Sequence, residues 1–67
     1  MQHTPPHEGR LLTQQEAADY LQVPSRTLES WRHRRTGPAY VRVGRHVRYQ
    51  RSDVDAWIDK NRDAAVQ

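Results

Sequence analysis

Two interruptions set the scale of everything this chain can build: Val23-Pro24 and Thr36-Gly37-Pro38. The residue before a proline is pushed out of the helical region, and a Thr-Gly-Pro run does not continue a helix. The segment from Leu12 to Thr36 is thereby cut into two short helices. Leu12-Thr13-Gln14-Gln15-Glu16 starts the first. Thr13 caps it, Glu16 three residues on completes a capping box, and Leu12 staples onto Ala17 across the first turn. Ala17, Ala18 and Leu21 then share one face. Ser25 reads as the second N-cap, and the helix behind it carries Leu28 and Trp31 on its apolar side. A helical wheel places Arg26, Ser30 and His33 opposite that pair.

Beyond Pro38 the period changes from helical to alternating. Val41 and Val43, then Val47 and Tyr49, are interleaved with Arg42 and Arg48. This predicts a two-stranded hairpin around Gly44. Parity decides its register. A two-residue loop, Gly44-Arg45, pairs Val41 with Arg48 and mixes unlike residues on one face. A three-residue loop, Gly44-Arg45-His46, pairs Val43 with Val47 and Val41 with Tyr49. All four then face the core, with Arg42 and Arg48 opposed in solvent, so the three-residue loop is expected. Opposed arginines repel, which makes sense where an anion lies against them. Ser52 is expected to cap a third helix with Asp53 and Asp55 in its first turn and Val54, Trp57 and Ile58 as its apolar stripe. The expected fold is mainly α with a two-stranded β-hairpin. Residues 1–10 form a disordered leader, 11–61 one domain and 62–67 a frayed tail.

The chain has 67 residues, which is one domain at most, with Trp31 and Trp57 as the largest apolar groups for its core. With no cysteine, neither a disulfide nor a thiolate zinc site is available. His3, His7, His33 and His46 have no metal-ligand spacing, and no nucleophile, base and orienting acid cluster. No metal, no cofactor and no catalysis are expected. No apolar run approaches the roughly 20 residues that cross a bilayer, and Met1 to Gly9 carries no signal-peptide core. The cytoplasm is the expected compartment.

Charge is the remaining constraint. Eight arginines lie between Arg26 and Arg51 against one acid, Glu29, while the other seven acids sit in the flanks. A concentrated cationic surface attracts a polyanion, most commonly a nucleic-acid backbone. Arg32 lies near the buried side of its helix, where its stem covers the core or its head reaches DNA. Arg35 and Arg51 read either as helix-terminal charges or as DNA contacts.

Two short helices joined by a tight turn, the second basic, form a DNA-reading unit. From Leu11 to Asn61 the chain resembles the winged helix-turn-helix domains of the MerR-like superfamily, and within it the excisionase-type group. The resemblance rests on Leu12-Thr13 through Glu16-Ala17-Ala18, Leu21-Gln22-Val23, Ser25-Arg26-Thr27-Leu28 with Trp31, Val43-Gly44-Arg45 with Arg48, and Ser52-Asp53-Val54 with Ala56-Trp57. Gln22 departs from it, standing where many such units carry glycine.

The resemblance implies that the second helix enters the major groove, with Ser25, Arg26 and Thr27 reaching phosphates and base edges and Ser30 and Arg34 further along. The hairpin is implied to be the wing. Its tip residue Arg45 would insert into an adjacent minor groove, with Arg42, His46 and Arg48 on the flanking backbone and Gly44 giving the tip its freedom. The implied role is a recombination directionality factor that bends double-stranded DNA so that a phage tyrosine-type integrase excises a prophage, inside the bacterial host cell. A small transcription regulator of the same fold is the main alternative, and a basic protein-interaction module the second. One helix and one wing cover only about 600–1,000 Å² of DNA, so several copies are expected on a site. The acidic third helix and the basic wing suggest head-to-tail packing between neighbours.

Overall fold

In the computed structural model the described residues are 10–62. The first helix, α1, spans Gln14–Leu21 and begins on the expected capping box. The Glu16 N–H donates to the Thr13 hydroxyl at 3.1 Å, and the Thr13 N–H donates to the Glu16 carboxylate at 2.9 Å. Two of the donors that every helix start leaves unpaired are thus satisfied. The Glu16 carboxylate also accepts from Arg10 at 2.7 Å. Leu12 and Ala17, the staple pair, are both buried.

The end of α1 explains how a glutamine replaces glycine in the turn. Gln22 adopts the left-handed conformation, φ 61°. The Val23 N–H reaches back to the Ala18 carbonyl at 3.0 Å and the Gln22 N–H to the Asp19 carbonyl at 3.1 Å, a Schellman closure. The turn is Gln22, Val23 and Pro24, as sharp as a glycine would make it, with the steric cost carried by the Gln22 Cβ. Gln22→Gly is expected to stabilise the domain by about 0.5–1 kcal/mol, because relief of that strain outweighs glycine's extra freedom in the unfolded chain. A urea titration checks it; a lowered midpoint contradicts it.

Helix α2 spans Ser25–His33. Ser25 is not its N-cap. Pro24 holds that position without a side-chain bond, and Ser25 is the first helical residue. Its hydroxyl is taken instead by the Gln14 amide, which donates to Ser25 Oγ at 2.8 Å and to the Ser25 carbonyl at 3.0 Å. This ties the start of α2 to the start of α1. The far end repeats the closure of α1. Arg35 takes φ 57°, the Thr36 N–H donates to the Trp31 carbonyl at 2.8 Å, and the Arg35 N–H to the Arg32 carbonyl at 3.0 Å. The helix therefore ends at His33, capped by Arg34 and closed by the left-handed Arg35, before Gly37. Gly37, at φ 87°, lies against the Trp31 ring: a Cβ there would sit 2.9 Å from Trp31 Cβ and Cε3.

The strands β1 (Val41–Val43) and β2 (His46–Arg48) pair antiparallel as Val41 with Arg48, Arg42 with Val47 and Val43 with His46. The loop is the two-residue Gly44-Arg45, and the three-residue register expected from parity is wrong. Gly44 at φ 64° allows a turn whose twist matches the strands. Tyr49 does not pair with Val41. Its backbone is held by Leu12, whose N–H donates to the Tyr49 carbonyl at 2.7 Å and whose carbonyl accepts from Tyr49 at 2.8 Å. Val47 and Tyr49 still face the core, but β1 is inverted relative to expectation. Val43 is 49% exposed, and Arg42 lies opposite Val47 rather than opposite Arg48. The anticipated arginine–arginine repulsion across the hairpin is absent.

Helix α3 spans Arg51–Lys60. The chain leaves the Leu12 bridge directly into it, so Gln50 is the N-cap and Ser52, expected there, is the second helical residue. Asp53 remains in the first turn, while Asp55 falls beyond it and accepts from the Tyr20 hydroxyl. The Arg51 guanidinium stacks 4.8 Å above the Tyr20 ring centroid.

The core is Leu12, Ala17, Ala18, Leu28, Tyr49 and Val54, with Leu21, Val23, Trp31, Val47 and Ile58 packed around it. The alanines let α2 approach α1 closely, and Tyr49 fills the space between helices and hairpin. The tryptophans, expected at the centre, are both half-buried and pack on each other at its edge, ring centroids 4.9 Å apart. Three helices and one hairpin in this order make a winged helix-turn-helix fold. The expected leader and tail lie, apart from Arg10 and Arg62, outside the described residues. Arg62 pairs with Asp59 at 3.0 Å.

Candidate nucleic-acid interface

Successive residues of a helix are rotated by about 100°, so burying Leu28 fixes which α2 residues face outward. Arg26, Ser30 and His33 fall on the far side and are exposed, and Arg34 at the C-cap is exposed beside them. Ser25 and Thr27 are half-buried. The Ser25 hydroxyl is engaged by Gln14, so of the first-turn trio expected to reach DNA, Arg26 stands out furthest. Glu29 is the acid on this helix, and its carboxylate lies 4.0 Å from His33 one turn on.

The hairpin presents a different set of groups on each side, because side chains alternate along a strand. Gly44, Arg45 and His46 are exposed at its tip, and beyond its own chain neighbours no atom of the described residues lies within 4 Å of the Cβ position at Gly44. The corrected register puts His46 and Arg48 on one side with Val41 and Val43, and Arg42 on the other with Val47. Arg48 is half-buried and donates to the Val47 carbonyl at 2.8 Å. Arg42 instead lies over Tyr40, its guanidinium carbon 6.0 Å from the ring centroid, and lines a groove with Arg32 and His33 of α2. The expected wing residues therefore divide: Arg45 and His46 at the tip, Arg48 along one side, and Arg42 on the other, over Tyr40.

Three residues outside the expected set organise this surface. Arg32 Nη1 donates to Gln14 Oε1 at 2.7 Å and to the Tyr49 hydroxyl at 3.1 Å, joining α2 to α1 and to the residue after β2. Its guanidinium carbon lies 5.7 Å from the Tyr40 ring centroid. Arg32 is half-buried, with its guanidinium held by these partners. Gln14 and Tyr40 carried no local signal, because their partners are distant in sequence.

Charge is separated by pairing as well as by position. In the flanks, Glu16 is engaged by Arg10, Asp19 by Gln15, Asp55 by Tyr20 and Asp59 by Arg62. Among the described residues Arg26, Arg34, Arg35 and Arg45 form no ion pair. Among those same residues no group of three or more His, Asp or Glu is placed to hold a metal ion, and no helix is long and apolar enough to cross a membrane.

A family model described as a helix-turn-helix domain matches residues 11–62, which cover all three helices and the hairpin. A search of curated proteins found no match to the chain.

Proposed function

The chain belongs to this helix-turn-helix domain family, and from that premise we propose that it is a sequence-specific DNA-binding and DNA-bending protein that acts as a phage excisionase. The observation that carries the binding is the set of unpaired arginines shared by the outer face of α2 and the hairpin tip. Helix α2 lies in the major groove, where Arg26 and Ser30 read base edges and Arg34 meets the backbone. The wing tip places Arg45 in the neighbouring minor groove, with Gly44 permitting close approach and His46 and Arg48 on the flanking phosphates. Ser25 and Thr27, half-buried at the start of α2, contribute shorter contacts to the phosphates there. The protein binds DNA and catalyses nothing.

Insertion of successive wings bends the duplex, which is what a recombination directionality factor contributes to excision. Copies pack head to tail, the acidic α3 of one against the basic wing of the next, and a tyrosine-type integrase shares the site in the bacterial cytoplasm. An excision assay with integrase tests the role directly. Excision that depends on this chain is expected. Retained DNA binding with excision unaffected would leave the transcription-regulator reading in its place. Arg45→Ala is expected to weaken duplex affinity about tenfold or more, as loss of a charge-assisted contact does, with the melting temperature unchanged. An unaltered gel shift would remove the wing from the interface.

A further inference from the structure

Between the end of α2 and the start of β1 lies a groove of about 590 Å³ whose lining includes Arg32, His33, Arg35, Thr36, Tyr40 and Arg42. Among the described residues no carboxylate lines it. Arg32 and Arg42 bring their guanidinium carbons to 5.7 and 6.0 Å from the centroid of the same ring, Tyr40. Both cations line the same groove with no carboxylate of the described residues beside them, so an oxyanion seated there is attracted by both. Arg32 is already held by Gln14 and Tyr49, so little freedom is lost when its remaining donors find an acceptor.

We infer that this groove seats one backbone phosphate of the DNA, the one over which the chain crosses from the major to the minor groove. The inference rests on the DNA-binding reading above. Adjacent major and minor grooves are separated by a single sugar–phosphate strand. A helix in one and a hairpin tip in the other must straddle that strand, and the chain that joins them here is residues 34–40. The groove is lined by that connection and by the residues at its two ends. A phosphodiester offers two non-bridging oxygens to the forked donors of Arg32 and Arg42, with Arg35 and the Thr36 hydroxyl at the rim. The seat fixes the spacing between helix and wing and adds affinity without sequence preference.

Arg35→Gly separates this role from a structural one. Arg35 occupies a left-handed conformation that glycine adopts without strain, so the variant melts higher than the parent. At the same time its affinity falls about tenfold for target and unrelated duplexes alike. The slope of log affinity against log salt falls by about one, as it does when one phosphate contact is lost. A folding defect would move stability the other way. Arg42→Gln lowers the slope by a similar step. Replacing phosphates one at a time by neutral methylphosphonate weakens the parent most at the strand position between the helix and wing footprints, and weakens Arg35→Gly there by less. Parent binding with no such position, or an unchanged slope in both variants, overturns the groove and leaves DNA binding standing. A parent that binds no duplex overturns both.

Discussion

Truncating Tyr49 to alanine is expected to leave the domain largely unfolded at physiological temperature. Tyr49 is the largest fully buried side chain among the described residues, 1% exposed, and it is held from several elements at once. Its backbone pairs with Leu12 ahead of α1, its hydroxyl accepts from Arg32 of α2, and its ring packs with Leu28 and Val54 in the core. Removing a buried aromatic ring costs about 3–5 kcal/mol through lost transfer energy and the cavity left behind. A core this small supplies about 3–5 kcal/mol in all. Tyr49→Phe keeps the ring and loses the Arg32 bond alone, so about 1 kcal/mol is expected there. Urea titration of the two variants separates the terms. A folded Tyr49→Ala with a midpoint near the parent's would show that the hairpin and helices do not share a core.

The second large effect is expected at Gly37. Alanine there meets Trp31 Cβ and Cε3 at 2.9 Å, below the separation that real Cβ atoms accept, on a backbone at φ 87° that side chains rarely adopt. Neither neighbour is the free end of a flexible chain: one is the Trp31 Cβ itself and the other an edge atom of a ring packed at a tilt against Trp57. Relieving the contact displaces that ring pair and the connection to β1. Left-handed strain of about 1–2 kcal/mol adds to overpacking of about 1–3 kcal/mol, so a fall in melting temperature of about 10 °C or more is expected. Gly44→Ala is the comparison, since its φ is 64° but its surroundings are open. That variant should show the strain without the clash. Equal losses at the two glycines would remove the Trp31 contact as the cause.

These two positions also show where the sequence was readable. The capping box at Thr13 and Glu16, the order of elements and the inward faces of all three helices follow from local spacing, and each is seen. Gly37 reads as a helix stop, yet the helix is closed by Arg35, an arginine in a conformation that no local pattern announces. The hairpin register failed for a related reason. Parity counted the valines as the deciding term, but Leu12, far away in the chain, holds the Tyr49 backbone, and the Gly44 turn sets the twist. Val43 is left exposed because those backbone bonds outweigh the burial of one valine. Ser25 and Ser52 look like caps by composition and are displaced by tertiary partners: Gln14 takes the first, and the direct passage from Tyr49 into α3 shifts the second inward. At the candidate interface the exposed arginines were legible from charge alone. The strut of Gln14, Arg32 and Tyr49 behind them was not, because it joins residues 17 and 18 positions apart in the chain.

The most direct measurement is an amide NMR titration of the protein with duplex DNA at moderate salt. The shifts expected are at Arg26, Ser30 and Arg34 on α2, at Gly44, Arg45 and His46 on the wing tip, and at Arg35 and Arg42 between them. Asp55 and Asp59 on α3 should stay still at the first equivalent. Shifts centred on α3, or spread evenly over the molecule, would mean that the arginine face is not the surface that meets the duplex.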